Sequence, residues 1–175
     1  MASIECIVMA GGRGTRLGAP EKPMVEVCGE PMIVRVLRQL ASVCGRIIVV
    51  YSRFTPSVGE LCRSPPVPVE CVRGWGSYVE DLKAALSLAS PPVLVAPADM
   101  PFLNAYRLED FMAKALLDPN PIVNLSARGR GPTGLSLFKE AWGSWSTVED
   151  GGCWTLDVDT PEDLEKARSL CGSCI

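Results

Sequence analysis

The chain has 175 residues, 47% hydrophobic and 21% charged, with a formal net charge of −3 and no histidine. That size suits one compact domain, residues 1–175, and the charge balance is that of a soluble enzyme rather than a basic nucleic-acid binder. No apolar run reaches the length of a membrane span and no basic-then-apolar leader opens the chain, so no membrane partner and a cytoplasmic location are expected.

Ile4–Ala10 is short, apolar and rich in β-branched residues, which predicts a buried strand. The stretch GGRGTRLGAPEKP (11–23) follows as a loop, and VEVCG as a short strand or turn. Pro31 suits a helix start, with Met32, Ile33, Val36, Leu37 and Leu40 at helical spacing and Gly45 closing the element. RIIVVYS and VPVECVR read as further strands, separated by a short helix with Thr55 as cap and Pro56 in its first turn. GWGSYVEDLKAALSLA reads as a glycine turn feeding a helix, with Ser77 and Glu80 at capping-box spacing and Val79, Leu82, Leu86 and Ala89 inward. PVLVAPAD predicts a fourth buried strand ending in an acid, and RLEDFMAKALL a helix stopped by DPNP.

PIVNLSA and LSLF read as strands joined by the loop RGRGPTG, followed by a less regular tryptophan-rich stretch. CWTLDVD predicts a last strand and TPEDLEKARSL a last helix, capped by Thr160 with Pro161 in its first turn. Strands alternating with helices at this spacing predict an α/β fold: a single-domain, three-layer α/β/α sandwich around a mainly parallel, mixed sheet. Eight cysteines are scattered along the chain, and only Cys171 and Cys174 have pair spacing. Without histidine or a second pair, structural use or a terminal disulfide is expected ahead of zinc. Intracellular disulfides would point to a hyperthermophile.

Ligands of such sheets bind beyond the carboxyl ends of the strands. The first loop lies there. Gly11, Gly12 and Gly14 let backbone N–H groups surround an anion, and Arg13, Arg16 and Lys22 add charge, so the loop suits phosphate. It is neither a Walker A loop nor a dinucleotide fingerprint, because Pro20 and Pro23 interrupt any immediate helix. Asp99 at a strand end suits Mg²⁺, which prefers carboxylate plus phosphate oxygens; alone it reads equally as a turn acid before Pro101. Asp157 and Asp159, two apart on the predicted strand, would share a face and complete the metal site, or serve the following helix start. Gly74 and Gly76 allow flat approach by a base, and Asp81 is either a partner for guanine N1 and N2 or solvated helix surface. Arg128 and Arg130 are either an anion site or a basic turn.

MAGGRGTRLG…EKPMVEVCGEPMI, PADMPFL and LDVDTPEDLEKA together resemble, in order and across nearly the whole chain, the nucleoside-triphosphate transferases with a glycosyltransferase-A-like fold. Within them GWGSYVEDL is most similar to the cobinamide-phosphate guanylyltransferases of archaeal cobalamin synthesis, while molybdenum-cofactor guanylyltransferases typically carry a Gly-Pro-Leu-Ala-Gly-like stretch there. The resemblance implies a nucleotide-diphospho-sugar-transferase-like fold and transfer of GMP from GTP to a phosphorylated acceptor, with Mg²⁺ as cofactor. Ala10, Gly11, Gly12, Arg13, Gly14, Thr15 and Arg16 would cradle the triphosphate, and Gly74, Gly76, Ser77 and Asp81 the base. Arg16, Lys22 and Asp99 would be catalytic, with Asp99, Asp157 and Asp159 at the metal. The remaining alternatives are a molybdenum-cofactor or sugar-phosphate nucleotidyltransferase, and a regulatory nucleotide-binding module. A homodimer is left open.

Overall fold

The computed structural model describes residues 4–174; the predicted domain's first three residues, the start of the leader reading among them, and Ile175 lie outside the described residues. Seven strands form the main sheet in the order β5-β4-β1-β6-β8-β7-β9. These are β1 (Ile4–Met9), β4 (Cys44–Tyr51), β5 (Glu70–Arg73), β6 (Val93–Pro97), β7 (Ile122–Ala127), β8 (Gly131–Phe138) and β9 (Trp145–Asp150). A separate hairpin joins β2 (Glu26–Val27) to β3 (Glu30–Pro31). The helices are α1 (Met32–Leu40), α2 (Pro56–Leu61), α3 (Tyr78–Leu86), α4 (Ala105–Leu117) and α5 (Pro161–Ser169).

β5, β4, β1 and β6 run parallel, whereas β8 pairs antiparallel with both β6 and β7, and β9 returns parallel to β7. The parallel strands carry apolar residues on both faces because both are covered. On one face Cys6, Val8, Ile47, Val49, Leu94 and Ala96 pack with Ile33, Val36 and Leu37 of α1 and Leu108 and Phe111 of α4. On the other, Ile7, Ile48, Val50, Val93 and Val95 pack with Ala85 of α3. Helices on both faces make the three-layer sandwich of the sequence reading.

A third core lies beyond the carboxyl ends of the parallel strands. Leu17, Val27, Met32, Phe102, Leu156, Val158 and Ala167 pack there, gathering the first loop, the small hairpin and α5. Two disulfides close it, Cys28–Cys171 and Cys153–Cys174, while Cys6–Cys44 and Cys62–Cys71 staple the main sheet region. Cys171 and Cys174 therefore do not pair with each other, because each faces an element brought in from elsewhere in the chain. Cys28, at φ +56, and Gly29, at φ +81, form the two-residue turn of the hairpin, whose left-handed backbone matches the twist of its strands.

Several local expectations are corrected. CWTLDVD is not a strand: Cys153–Thr155 is a 3₁₀ turn, followed by extended chain that touches the Asp99 loop through Val158 N–H to Asp99 O at 3.0 Å. The tryptophan-rich stretch instead supplies β9. Gly45 lies inside β4 rather than ending α1. Ser77 makes no side-chain cap to α3, and Val79 is exposed, since Asp81 and Ala85 occupy the buried side. Thr160 and Asp163 do form a reciprocal capping box on α5.

Candidate active site

The loop after β1 is held open by its own glycines and by β4. Gly14 has φ +63, and a Cβ there would collide with the Ala19 carbonyl, so the bend needs glycine. Ser52, beyond β4, donates its hydroxyl to Gly11 O at 2.6 Å and accepts from Phe54 N–H at 3.1 Å. Arg13 stacks on the Phe54 ring, 4.6 Å from its centroid, which presents the guanidinium at the loop rim. Gly12, by contrast, meets nothing within 4 Å. Its missing side chain serves no contact within the protein.

The loop rims a cavity of about 570 Å³, the larger of the two described here. Ala10, Gly11, Gly12, Arg13, Gly14, Thr15, Arg16 and Lys22 all line it, as do Gly76, Asp81, Asp99, Asp157 and Asp159. Gly74 and Ser77 do not line it. A Cβ on Gly74 would strike the Asp81 carboxylate, so Gly74 makes room for that side chain. Asp81 is corrected as well: it is neither solvated nor free. Buried within α3's first turns, it accepts from the N–H groups of Trp75 at 2.7 Å and Gly76 at 3.0 Å, folding the glycine turn over the cavity.

The charged floor is built from three segments. Lys22 Nζ donates to Asp99 Oδ2 and, at 2.8 Å, to Asp159 Oδ1, while Arg16 reaches Asp159 Oδ2 at 3.0 Å. Burial alone would lower the lysine's proton affinity; the Asp99 and Asp159 carboxylates outweigh it and hold the ammonium above the usual lysine range. Burial pushes Asp99 up, opposed by Lys22, and Asp157 is raised likewise by burial. Asp99 Oδ1 is buried without a hydrogen-bond partner. Such an atom in a folded protein calls for a partner, a water molecule or an ion among them.

That oxygen belongs to a carboxylate lining the cavity that the glycine loop rims, and a carboxylate so placed suits a hard divalent cation completed by phosphate oxygens. Among the described residues no three acidic or cysteine side chains form a ready-made metal cluster, so the ligand's oxygens would have to share in holding the ion. Asp157 and Asp159 do not share a strand face. Asp157 meets Arg130 at 3.4 Å, whereas Asp159 faces Lys22 and Arg16. Arg130 also binds Asp163 at 2.7 Å, so it fixes the start of α5 instead of offering itself to an anion. Arg128 lies 3.8 Å from Glu149 and stays exposed.

Sequence reasoning missed Ser52, Pro132, Thr133 and Gly134. The last three bring the start of β8 into the cavity wall because β8 runs antiparallel beside β6, which no local pattern announces.

Residues 6–154 match the MobA-like NTP transferase domain, whose span takes in the glycine loop, Lys22 and Asp99. The chain belongs to the MobA-like NTP transferase family. Over 103 residues the chain is 34% identical to the adenosylcobinamide-phosphate guanylyltransferase of Methanocaldococcus jannaschii, covering 55% of the chain and 52% of that relative. The match thus spans about half the length of that relative. The protein named "Probable molybdenum cofactor guanylyltransferase" in Natronomonas pharaonis is 27% identical over 194 residues, covering 93% of the chain and 95% of that protein. Among solved structures, Rv0371c of Mycobacterium tuberculosis in complex with manganese superposes with a TM-score of 0.71 at 15% identity, over 95% of this chain and 98% of that one. At that identity the likeness is one of fold. No helix among the described residues is long and apolar enough to cross a membrane.

Proposed function

We propose that this chain transfers GMP from GTP to adenosylcobinamide phosphate, with Mg²⁺ bound at Asp99. The observation that carries the transfer is the Lys22–Asp99–Asp159 cluster, with its orphaned Asp99 oxygen, set against an anion-shaped glycine loop. In the reaction a phosphate oxygen of the acceptor attacks the α-phosphorus of GTP, the bond to the β-phosphate's bridging oxygen breaks, and pyrophosphate leaves. The nucleophile is already ionised, so a site without histidine lacks nothing. Arg16 and Lys22 lie where they would meet phosphate oxygens, and positioning and charge neutralisation supply the rate. A bound Mg²⁺ would draw charge from the phosphates at Asp99, with Asp159 or Asp157 beside it; manganese in the Rv0371c structure supports a divalent ion. Identity to the Methanocaldococcus protein supports the acceptor. The longer match to the Natronomonas protein supports a second reading, a molybdenum-cofactor acceptor. In a cytoplasmic setting the four disulfides fit a hyperthermophile's chemistry.

Pyrophosphate release from GTP and Mg²⁺, assayed in turn with adenosylcobinamide phosphate, molybdenum cofactor and a sugar 1-phosphate, tests the reading. Turnover is expected with the first. Release with either of the others alone would replace it.

Guanine preference is expected from Asp81, whose oxygens each keep a lone pair beyond the loop N–H groups they already bind. Adenine lacks the N1 and N2 donors and so forgoes these added hydrogen bonds to a carboxylate, each worth about 1.5–3 kcal/mol. In a competition titration GTP should therefore bind at least about tenfold tighter than ATP. Equal displacement would remove the guanine assignment. Gly76→Val is a poor probe of the same point, since a Cβ at that φ +90 position would lie 2.6 Å from the Phe54 ring whether or not a base is bound.

Gly12 offers a cleaner probe. With open space around it, Gly12→Ala should shift stability by less than about 0.5 kcal/mol, as exposed substitutions do. If phosphate packs against the bare backbone, calorimetry should show GTP affinity falling about tenfold. Unchanged affinity would mean that the triphosphate lies elsewhere.

A further inference from the structure

Helix α3 covers only part of its face of the sheet. Under it lie Ile7, Ile48, Val50, Val93 and Val95, with Phe138 at the margin. Strand register carries the same face outward in two rows: Val95 pairs with Ser136, Ser136 with Asn124 and Asn124 with Thr147, while Val93 pairs with Phe138, Phe138 with Ile122 and Ile122 with Trp145. Paired residues point to the same side, so β7 and β9 extend the α3 face, and among the described residues no helix is seen to pack on that extension.

A cavity of about 250 Å³ lies on this extension, lined by Ile122, Asn124, Pro132, Trp145 and Thr147. Pro132 also lines the nucleotide cavity, so the two spaces share a wall. No lining residue is charged. Trp145 is 67% exposed, and a second tryptophan, Trp142, stands exposed beside α3 with Lys83 5.5 Å from its ring. Asn124 accepts from Ser136 at 2.7 Å through its carbonyl, which leaves its amide N–H groups available to the groove.

We propose that this uncovered face holds the body of the acceptor, and that the body is a broad, apolar-faced group with hydrogen-bonding edges rather than a small polyhydroxylated or multiply charged one. The inference rests on the nucleotidyl-transfer reading, because it is the acceptor's phosphate that must reach into the first cavity while its bulk remains outside. The shared Pro132 wall gives that bulk a contiguous seat. Trp145 and Ile122 supply a flat apolar surface, and Asn124 and Thr147 supply polar contacts at its edge. A multiply charged group would find no ion-pair partner among the residues lining the groove, and a small polyhydroxylated one would leave most of the Ile122 and Trp145 surface uncovered. A corrinoid macrocycle edged with amides meets this description; a sugar does not.

The test uses Trp145→Ala, and Thr147→Arg to fill the groove, both at exposed positions of an edge strand. With adenosylcobinamide phosphate as acceptor, each variant should raise its KM about tenfold while kcat and GTP affinity stay near wild type. Quenching of tryptophan fluorescence by the corrinoid should weaken in parallel in Trp145→Ala. Unchanged acceptor KM in both variants overturns the groove assignment. Wild-type turnover with mannose 1-phosphate in place of the corrinoid overturns the groove and the function together. Turnover with molybdenum cofactor alone overturns the acceptor reading by itself; a raised KM for that acceptor in the two variants then supports the groove, and an unchanged one removes it.

Discussion

Replacing Lys22 by alanine is expected to abolish turnover and to lower the melting temperature by about 6–20 °C, from about 3–5 kcal/mol for an uncompensated buried charge and about 2–4 °C per kcal/mol at this chain length. Lys22 holds two carboxylates that come from different parts of the chain, Asp99 after β6 and Asp159 before α5. Burial already pushes Asp99 up, and the ammonium is what opposes it. Without Lys22 the folded protein must keep that carboxylate dry and unpaired, or protonate it. The sign with pH follows. Lys22 is raised above its ordinary range, so its stabilisation is complete below that range and disappears only as pH climbs through the raised folded value. In Lys22→Ala the deficit should be largest from neutral pH up to the ordinary lysine range and should shrink toward acid, where a protonated Asp99 no longer carries the offending charge. Adding Asp99→Asn should restore much of the lost stability without restoring turnover. Thermal melts of the single and double variants between acid and neutral pH decide it. A pH-independent deficit, or no rescue by asparagine, would mean that the lysine acts through packing instead.

Features of the fold that rest on buried periodicity were legible in the sequence, while those set by partners far along the chain were not. β1, β4 and β6 are apolar runs covered on both faces, and such runs announce themselves. β9 carries no apolar alternation because it is an edge strand with one face bare, so WSTVED resembles a loop. Residues 153–159 mislead in the opposite direction. Their strand-like composition reflects burial of Trp154 in the main core under α1 and α4, and of Leu156 and Val158 in the core beside α5 and the first loop, rather than pairing in the sheet. At the site, the glycine loop, Lys22 and Asp99 could be found because the chemistry needs those residue types at a strand end. Asp81's position under the turn of Trp75 and Gly76 could not, since nothing in GWGSYVED tells a helix-surface acid from one folded inward. Disulfide connectivity lay beyond the sequence for the same reason: pairing depends on which elements meet.

Breaking the Cys28–Cys171 bridge should cost about 2–4 kcal/mol, or a fall of about 4–16 °C in melting temperature, and should cost activity as well. The bridge closes a sequence separation of 143 residues, so its loss frees a large part of the unfolded chain's conformational entropy. It also anchors α5 to the small hairpin, across the core that contains Leu17, Phe102, Leu156 and Val158. Those apolar residues lie next in sequence to Arg16 or close to Asp99, Asp157 and Asp159. Loosening the core therefore loosens the charged floor of the site, where small displacements of positioned groups are expensive. The variant must leave the hairpin turn intact, because Cys28 sits at φ +56, where most side chains are strained. Cys28→Asn paired with Cys171→Ala meets that need, asparagine being tolerant of the left-handed region. Calorimetric melting, together with pyrophosphate release at a temperature well below both midpoints, separates the two effects. A lower midpoint with undiminished turnover would show that the bridge serves the fold alone, and an unchanged midpoint would show that α5 is held by its apolar contacts and the Thr160–Asp163 capping box without it.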